Sequence, residues 1–117
     1  WSPQLVDRSC TPAERTWLRE QGDRPEDFAL LWACKESAGK LTGEGLPYPP
    51  SRLTLPIPAC GQALLSRQSC QWEGRWLRGY AGPGWSAAVC GWEEPPPEIH
   101  WLELPETQTT PHQDWKL

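Results

Sequence analysis

The stretch CQWEGRWLRGYAGPGWSAAVCGW, residues 70–92, decides how this chain folds. It carries four of the nine tryptophans and two of the five cysteines. Gly74 and Gly79 argue against a helix through it, since an interior glycine costs about 1 kcal/mol relative to alanine. AGPG, residues 81–84, has the composition of a turn. A hairpin follows, with Tyr80 expected opposite Trp85 and Trp76 opposite Val89. Side chains alternate along a strand, so Trp72, Trp76, Tyr80, Trp85 and Val89 share one face. Arg75, Leu77, Ala88, Cys90 and Trp92 share the other. Aliphatic residues are scarce and each indole can bury about 150–250 Å². The Trp72/Trp76/Tyr80 face is therefore expected to be the core side of a sheet.

Beyond the hairpin, EEPPPE (93–98) breaks the chain and IHWLEL (99–104) alternates as a third strand would. Residues 105–117 are polar and proline-punctuated, with no hydrophobic period. One domain over 1–104 and a flexible acidic tail over 105–117 are expected, the length sufficing for one core.

Upstream, residues 1–10 read as extended. TPAERTWLREQG (11–22) reads as a short helix: Thr11 caps it, Pro12 suits its first position, Glu14 completes a capping box and Gly22 stops it. DRPEDFALLWACKESAG (23–39) repeats that logic, with Asp23 as cap, Pro25 and Glu26 in the first turn and Gly39 as the end. Phe28, Leu31, Trp32 and Lys35 fall on one side of this second helix, with Leu30, Ala33 and Cys34 beside them. The short link between the two makes them a helical hairpin. KLTGEGLPYPPSRLTLPIP (40–58) is too rich in proline for a helix and forms a connector, with a brief edge strand at Arg52–Leu55. PACGQALLSRQSC (58–70) holds a short third helix starting near Pro58. The fold class is α+β: an N-terminal helical hairpin and a short third helix packed on a three-stranded antiparallel meander, stapled by disulfides.

The five cysteines are Cys10, Cys34, Cys60, Cys70 and Cys90. The expected pairing is Cys10–Cys34 plus one bridge among Cys60, Cys70 and Cys90, with one thiol left unpaired. A zinc site from Cys60, Cys70, Cys90 and His100 lacks the closely spaced ligand pairs such sites use. The chain begins at Trp1 and contains no methionine. With the cysteines, this points to an extracytoplasmic protein (periplasmic, secreted or an ectodomain) whose signal peptide or N-terminal membrane anchor was removed. No run of apolar residues is long enough to span a bilayer.

Net charge is −4, and its distribution is uneven. Residues 1–92 hold ten basic and nine acidic side chains, while 93–117 hold one basic and six acidic. Duplex nucleic acid is excluded as a partner by the missing cationic excess. Catalytic signatures are sparse. Cys90 and His100 could meet across strands, but no nucleophile turn accompanies them. AGKL (38–41) lacks the first glycine and the hydroxyl residue of a phosphate loop. No catalytic residue, metal ligand or cofactor is assigned.

What remains is binding. Trp, Tyr and Arg dominate protein-interaction hot spots, and the candidate binding residues are Arg75, Leu77, Arg78, Trp85 and Trp92. The expectation is a non-enzymatic domain that recognises another protein, as an envelope or secreted assembly component, an inhibitor or an immunity-type protein would. The alternative is a glycan-binding module with a tryptophan platform. A small zinc protein or hydrolase ranks below both.

Overall fold

In a computed structural model, residues 3–97 are described. They form helices α1 (Pro3–Ser9), α2 (Pro12–Glu20), α3 (Pro25–Thr42) and α4 (Gly61–Leu65), with a 3₁₀ turn at Pro50–Arg52. Strands β1 (Cys70–Trp72), β2 (Arg75–Gly82) and β3 (Trp85–Gly91) follow, in an antiparallel sheet of order β1-β2-β3. The α+β class and the three-stranded meander are as the sequence indicates.

Residues 3–9, expected to be extended, are helical. Pro3 opens α1, and Val6 and Cys10, four apart, turn into the core. In α2 the capping box forms as expected. Thr11 Oγ1 accepts from the Glu14 N–H (3.2 Å), and Glu14 Oε1 accepts from the Thr11 N–H (3.0 Å). Asp23 does not cap α3; Arg24 occupies the N-cap without a capping side-chain bond, its guanidinium donating to the Asp27 carboxylate, and Asp23 pairs with Arg15 at 2.6 Å. Nor does Gly39 end that helix. It runs to Thr42 and stops at Gly43, whose φ of 79° suits glycine. Gly39 has a different task. A Cβ there would stand 2.6 Å from the Gly45 carbonyl oxygen, so its bareness lets the departing chain fold back across the helix.

The edge strand expected at Arg52–Leu55 is absent; the 3₁₀ turn and irregular backbone occupy that segment. The third helix begins at Gly61, three residues beyond Pro58.

The meander's third strand comes from the opening stretch itself. Glu73 and Gly74, with φ of 52° and 83°, make a two-residue turn between Trp72 and Arg75. Such turns need positive φ at both central positions, which the Glu-Gly pair supplies. The expected strand at 99–104, and the tail after it, lie outside the described residues.

In the second hairpin Gly82 pairs with Trp85, so the loop is Pro83–Gly84 and the register differs by two from the expected one. Tyr80 faces Ala87 and Trp76 faces Gly91. A shift of two preserves which β2 and β3 residues share a face, but the inward face is the other one. Leu77 is fully buried, and Ala88 and Cys90 pack beside it against the helices. Shape decides this. Gly79 and Ala88 are neighbours across the strands and leave a trough, and Leu30 of α3 fills it; a Cβ on Gly79 would come within 2.8 Å of Leu30 Cδ1. Trp76 and Tyr80 on that face would hold the helix away. Trp72 joins the core because the tight turn puts it in register with Arg75. Tyr80, on the outer face, is covered by the chain after β3 and donates to the Pro96 carbonyl at 2.7 Å.

The core joins Val6, Trp17, Leu18, Leu30, Leu31, Leu55, Leu64, Trp72 and Leu77, so every helix contributes. One disulfide is present, Cys60–Cys70, tying the approach to α4 to β1. Cys10 and Cys34 are buried but unpaired, and Cys90 is a half-buried thiol. The expected Cys10–Cys34 bridge is thus not formed, and three thiols are free, not one.

Candidate active site

The longest helix arranges the chain's charged groups. Lys35 and Glu36 are consecutive in α3, and a helix turns about 100° per residue. The two therefore part company. Lys35 enters the core and is almost completely buried, while Glu36 faces solvent.

Lys35 is fully committed. Its ammonium has three protons, and it lies 2.8 Å from Glu14 Oε1, 3.0 Å from the Pro50 carbonyl oxygen and 2.8 Å from that of Leu53. Glu14 also accepts from the Leu55 N–H through Oε2 at 2.9 Å. One buried pair thus joins α2, α3 and the connector, with its polar atoms satisfied.

On the opposite side of α3, Glu36 and Lys40 are both exposed. They stand one turn apart, a spacing that brings Cβ atoms to about 5–6 Å, with the acid N-terminal to the base in the favourable order. Ala29 and Ala33 continue the same side of the helix toward its N-terminus. A carboxylate and an ammonium presented together above small side chains can accept a proton from a hydroxyl and neutralise a phosphate oxygen. Sequence reasoning passed over Glu36 and weighed Lys40 only within AGKL, as a phosphate loop that the sequence does not support. The available signal was the Lys-Glu pair followed by Lys40, which on a helix must divide into one buried cation and an exposed acid-base pair.

The sequence-nominated binding residues do not form one surface. Leu77 is in the core and cannot reach a partner. Arg75 lies on the inward face, its guanidinium 3.9 Å above the Trp72 ring. Arg78 is on the outer face and donates to the Arg67 carbonyl. Trp85 (41% exposed) lines a cleft of about 610 Å³ between the hairpin turn and the start of α3, together with Arg24 and Arg67. Trp92 (61% exposed) lies past the end of β3.

The free cysteines are poor nucleophiles. Burial, with the Glu14 charge adding to it, pushes the Cys10 thiol up to about 11. Burial pushes Cys34 up to about 12, helped by nearby Cys90. Cys90 is also raised by burial, against the opposing charge of Arg75. Among the described residues no three His, Cys, Asp or Glu side chains cluster so as to hold a metal ion. No helix among them is long and apolar enough to cross a membrane.

A sequence profile of the 4'-phosphopantetheinyl transferase superfamily (ACPS) matches residues 2–90, from the start of α1 almost to the end of β3. The chain belongs to this superfamily. No curated protein and no solved structure matches it.

Membership in the 4'-phosphopantetheinyl transferase superfamily overturns the expectation of a non-enzymatic recognition domain, because the family is one of enzymes. The glycan-binding alternative falls with it. So does the extracytoplasmic placement with a removed anchor, since the family's members are normally cytoplasmic. Those inferences leaned on the missing methionine, the cysteine content, the tryptophan surplus and the sparse catalytic signatures. The structure puts two of the cysteines in the core as inert thiols, and it spends Trp17 and Trp72 on packing.

Proposed function

We propose that this chain acts in the transfer of a 4'-phosphopantetheinyl group to an acyl carrier protein, with Glu36 and Lys40 at the reacting centre. The observation that carries this reading is the family match over residues 2–90. The outward-facing acid-base pair on α3 supplies the chemistry such a transfer needs.

Phosphopantetheinyl transfer is phosphoryl transfer. An acceptor hydroxyl on the carrier attacks phosphorus, a new O–P bond forms, and the bond from phosphorus to the leaving oxygen breaks. Catalysis of such steps rests on positioning and on charge neutralisation. Glu36 is placed to accept the hydroxyl proton. Lys40 is placed to hold the phosphoryl oxygens as their charge develops. Magnesium commonly accompanies phosphoryl transfer. Glu36 by itself offers an ion one carboxylate arm, which does not make a dedicated site, and neither role given to these side chains depends on one.

The test is direct. The chain is incubated with coenzyme A and an apo acyl carrier protein in magnesium-containing buffer, and the carrier's intact mass is read. The expected result is a gain equal to one phosphopantetheinyl group. A carrier that stays unmodified here, while an established transferase loads the same preparation, would refute the reading.

A further inference from the structure

Away from Glu36 and Lys40, a second cleft of about 400 Å³ lies between the C-terminal turn of α3, the connector and the start of β2. Ala38, Gly39 and Thr42 of α3 line one side, and Arg52, Arg75 and Glu44 supply its charges. We propose that this cleft binds a phosphate-class oxyanion through Arg52 and Arg75.

Three observations carry the proposal. Arg75 is held in place: its side chain is only 15% exposed, its guanidinium stacks on Trp72, and one Nη atom reaches Glu73 at 3.2 Å. Its Nε is nonetheless buried with no hydrogen-bond partner. A buried donor without an acceptor is costly, and an arginine fork held rigid at a cleft wall is suited to a tetrahedral oxyanion. Arg52 is exposed, and its side chain forms no hydrogen bond or ion pair among the described residues, so its donors are uncommitted. Gly39 and Gly45 both line the cleft, and their backbones cross too closely for a side chain on Gly39.

Charge sets the ligand class. Two guanidinium groups line the cleft against a single lining carboxylate, Glu44, while Glu73 pairs with Arg75 from outside the lining. That balance favours an anion. The planar fork of arginine favours phosphate or a phosphate monoester over a lone carboxylate. The site is separate from the proposed reacting centre. Ala38 and Thr42 each lie two positions from Lys40, which is about 200° around the helix. The inference therefore does not rest on the transferase reading.

The experiment titrates the intact chain with inorganic phosphate, and separately with glycerol 3-phosphate, at constant ionic strength. Arginine Nε–Hε cross-peaks in ¹H–¹⁵N NMR spectra are the readout. The expected result is a saturable shift of the Arg75 and Arg52 signals. Tighter binding of glycerol 3-phosphate would assign the cleft to a phosphate ester, and equal binding would assign it to free phosphate. Arg52→Gln, at an exposed position, should weaken binding by about tenfold, the worth of one charge-assisted hydrogen bond. Glu44→Gln should tighten it, because the opposing charge is gone. Lys40→Ala should leave it unchanged. No saturable shift, an unaltered titration in Arg52→Gln, or loss of binding in Lys40→Ala with retention in Arg52→Gln would each overturn the proposal.

Discussion

The Lys35 ammonium lies 2.8 Å from a Glu14 carboxylate oxygen, with 1% and 0% of the two side chains exposed. Removing one member strands the other as an uncompensated buried charge, which costs about 3–5 kcal/mol. Lys35→Met should therefore lose stability of that order, read from the urea midpoint. It should also loosen the connector, since the Pro50 and Leu53 carbonyls lose their donor. Adding Glu14→Gln should recover part of the loss. Glutamine is neutral and still offers an acceptor to the capping box. A Lys35→Met chain as stable as the parent would show that the pair is not the clamp described.

Gly39→Ala tests the crossing of the chain over α3. On helix propensity alone the change should stabilise by about 1 kcal/mol. The new Cβ, however, would meet the Gly45 carbonyl oxygen at 2.6 Å and the Leu46 nitrogen at 3.0 Å, and both are backbone atoms that cannot rotate away. Overpacking of this kind costs about 1–3 kcal/mol. The expected outcome is a lower thermal midpoint. A higher one would mean that the loop at 43–46 moves freely.

Much of the architecture was legible because it rests on local rules. Thr11, Pro12 and Glu14 specify a helix start through three neighbouring groups, and that start formed as the sequence indicates. The misread features depend on distant partners. Gly39 has the composition of a helix end, and only the return of Gly45 across it explains why the helix continues. The inward face of the hairpin was assigned from hydrophobic bulk, whereas fit against Leu30 chose Gly79 and Ala88. The Cys60–Cys70 bridge was one of several open pairings, and the turn at Glu73–Gly74 brings β1 beside β2 in a way that spacing alone did not reveal. Glu36 and Lys40 were hidden for a related reason. Their significance lies in Lys35 pointing inward, and the partner that draws it there, Glu14, is 21 positions away in sequence.

The thiols give a prediction about reactivity and another about pH. With alkylating reagent at pH 8 and no reductant, the folded chain should label slowly, with half-buried Cys90 ahead of Cys10 and Cys34. Unfolding without reductant should expose three thiols, and reduction should expose five. Mass spectrometry counts them, and one or no labelled thiol in the unfolded, unreduced chain would contradict the single bridge.

For pH, the folded thiols of Cys10 and Cys34 sit at about 11 and about 12, above the ordinary value of 9.0 that the unfolded chain has. A group raised on folding contributes stability that is intact below the unfolded value and is lost as pH climbs toward the folded one. Above pH 9 the unfolded chain releases protons that the folded chain keeps, so each thiol lowers stability by about 1.4 kcal/mol per pH unit. Urea unfolding at pH 8 and pH 10 should show this fall, and Cys10→Ala with Cys34→Ala should flatten it. An identical fall in the double variant would assign the effect to other groups.

Glu36→Gln and Lys40→Ala separate chemistry from folding on one helix. Both side chains are exposed and outside the core, so each variant should keep its unfolding midpoint within about 0.5 kcal/mol of the parent. Activity should respond differently. Loss of a positioned proton acceptor costs about 10²–10⁴-fold, and loss of a cation that stabilises developing charge costs about 10²–10³-fold. Glu36→Gln should lower kcat with little change in KM, because the carboxylate acts on the proton in flight and not on the bound donor. Lys40→Ala should lower kcat and raise KM for the phosphopantetheinyl donor, since the same ammonium meets phosphate before and during transfer. Lys40→Arg should restore donor KM more than kcat, as a guanidinium keeps the charge but spreads it over a planar fork. Full transfer activity in either Glu36→Gln or Lys40→Ala, at unchanged stability, would move the reacting centre off this side of α3.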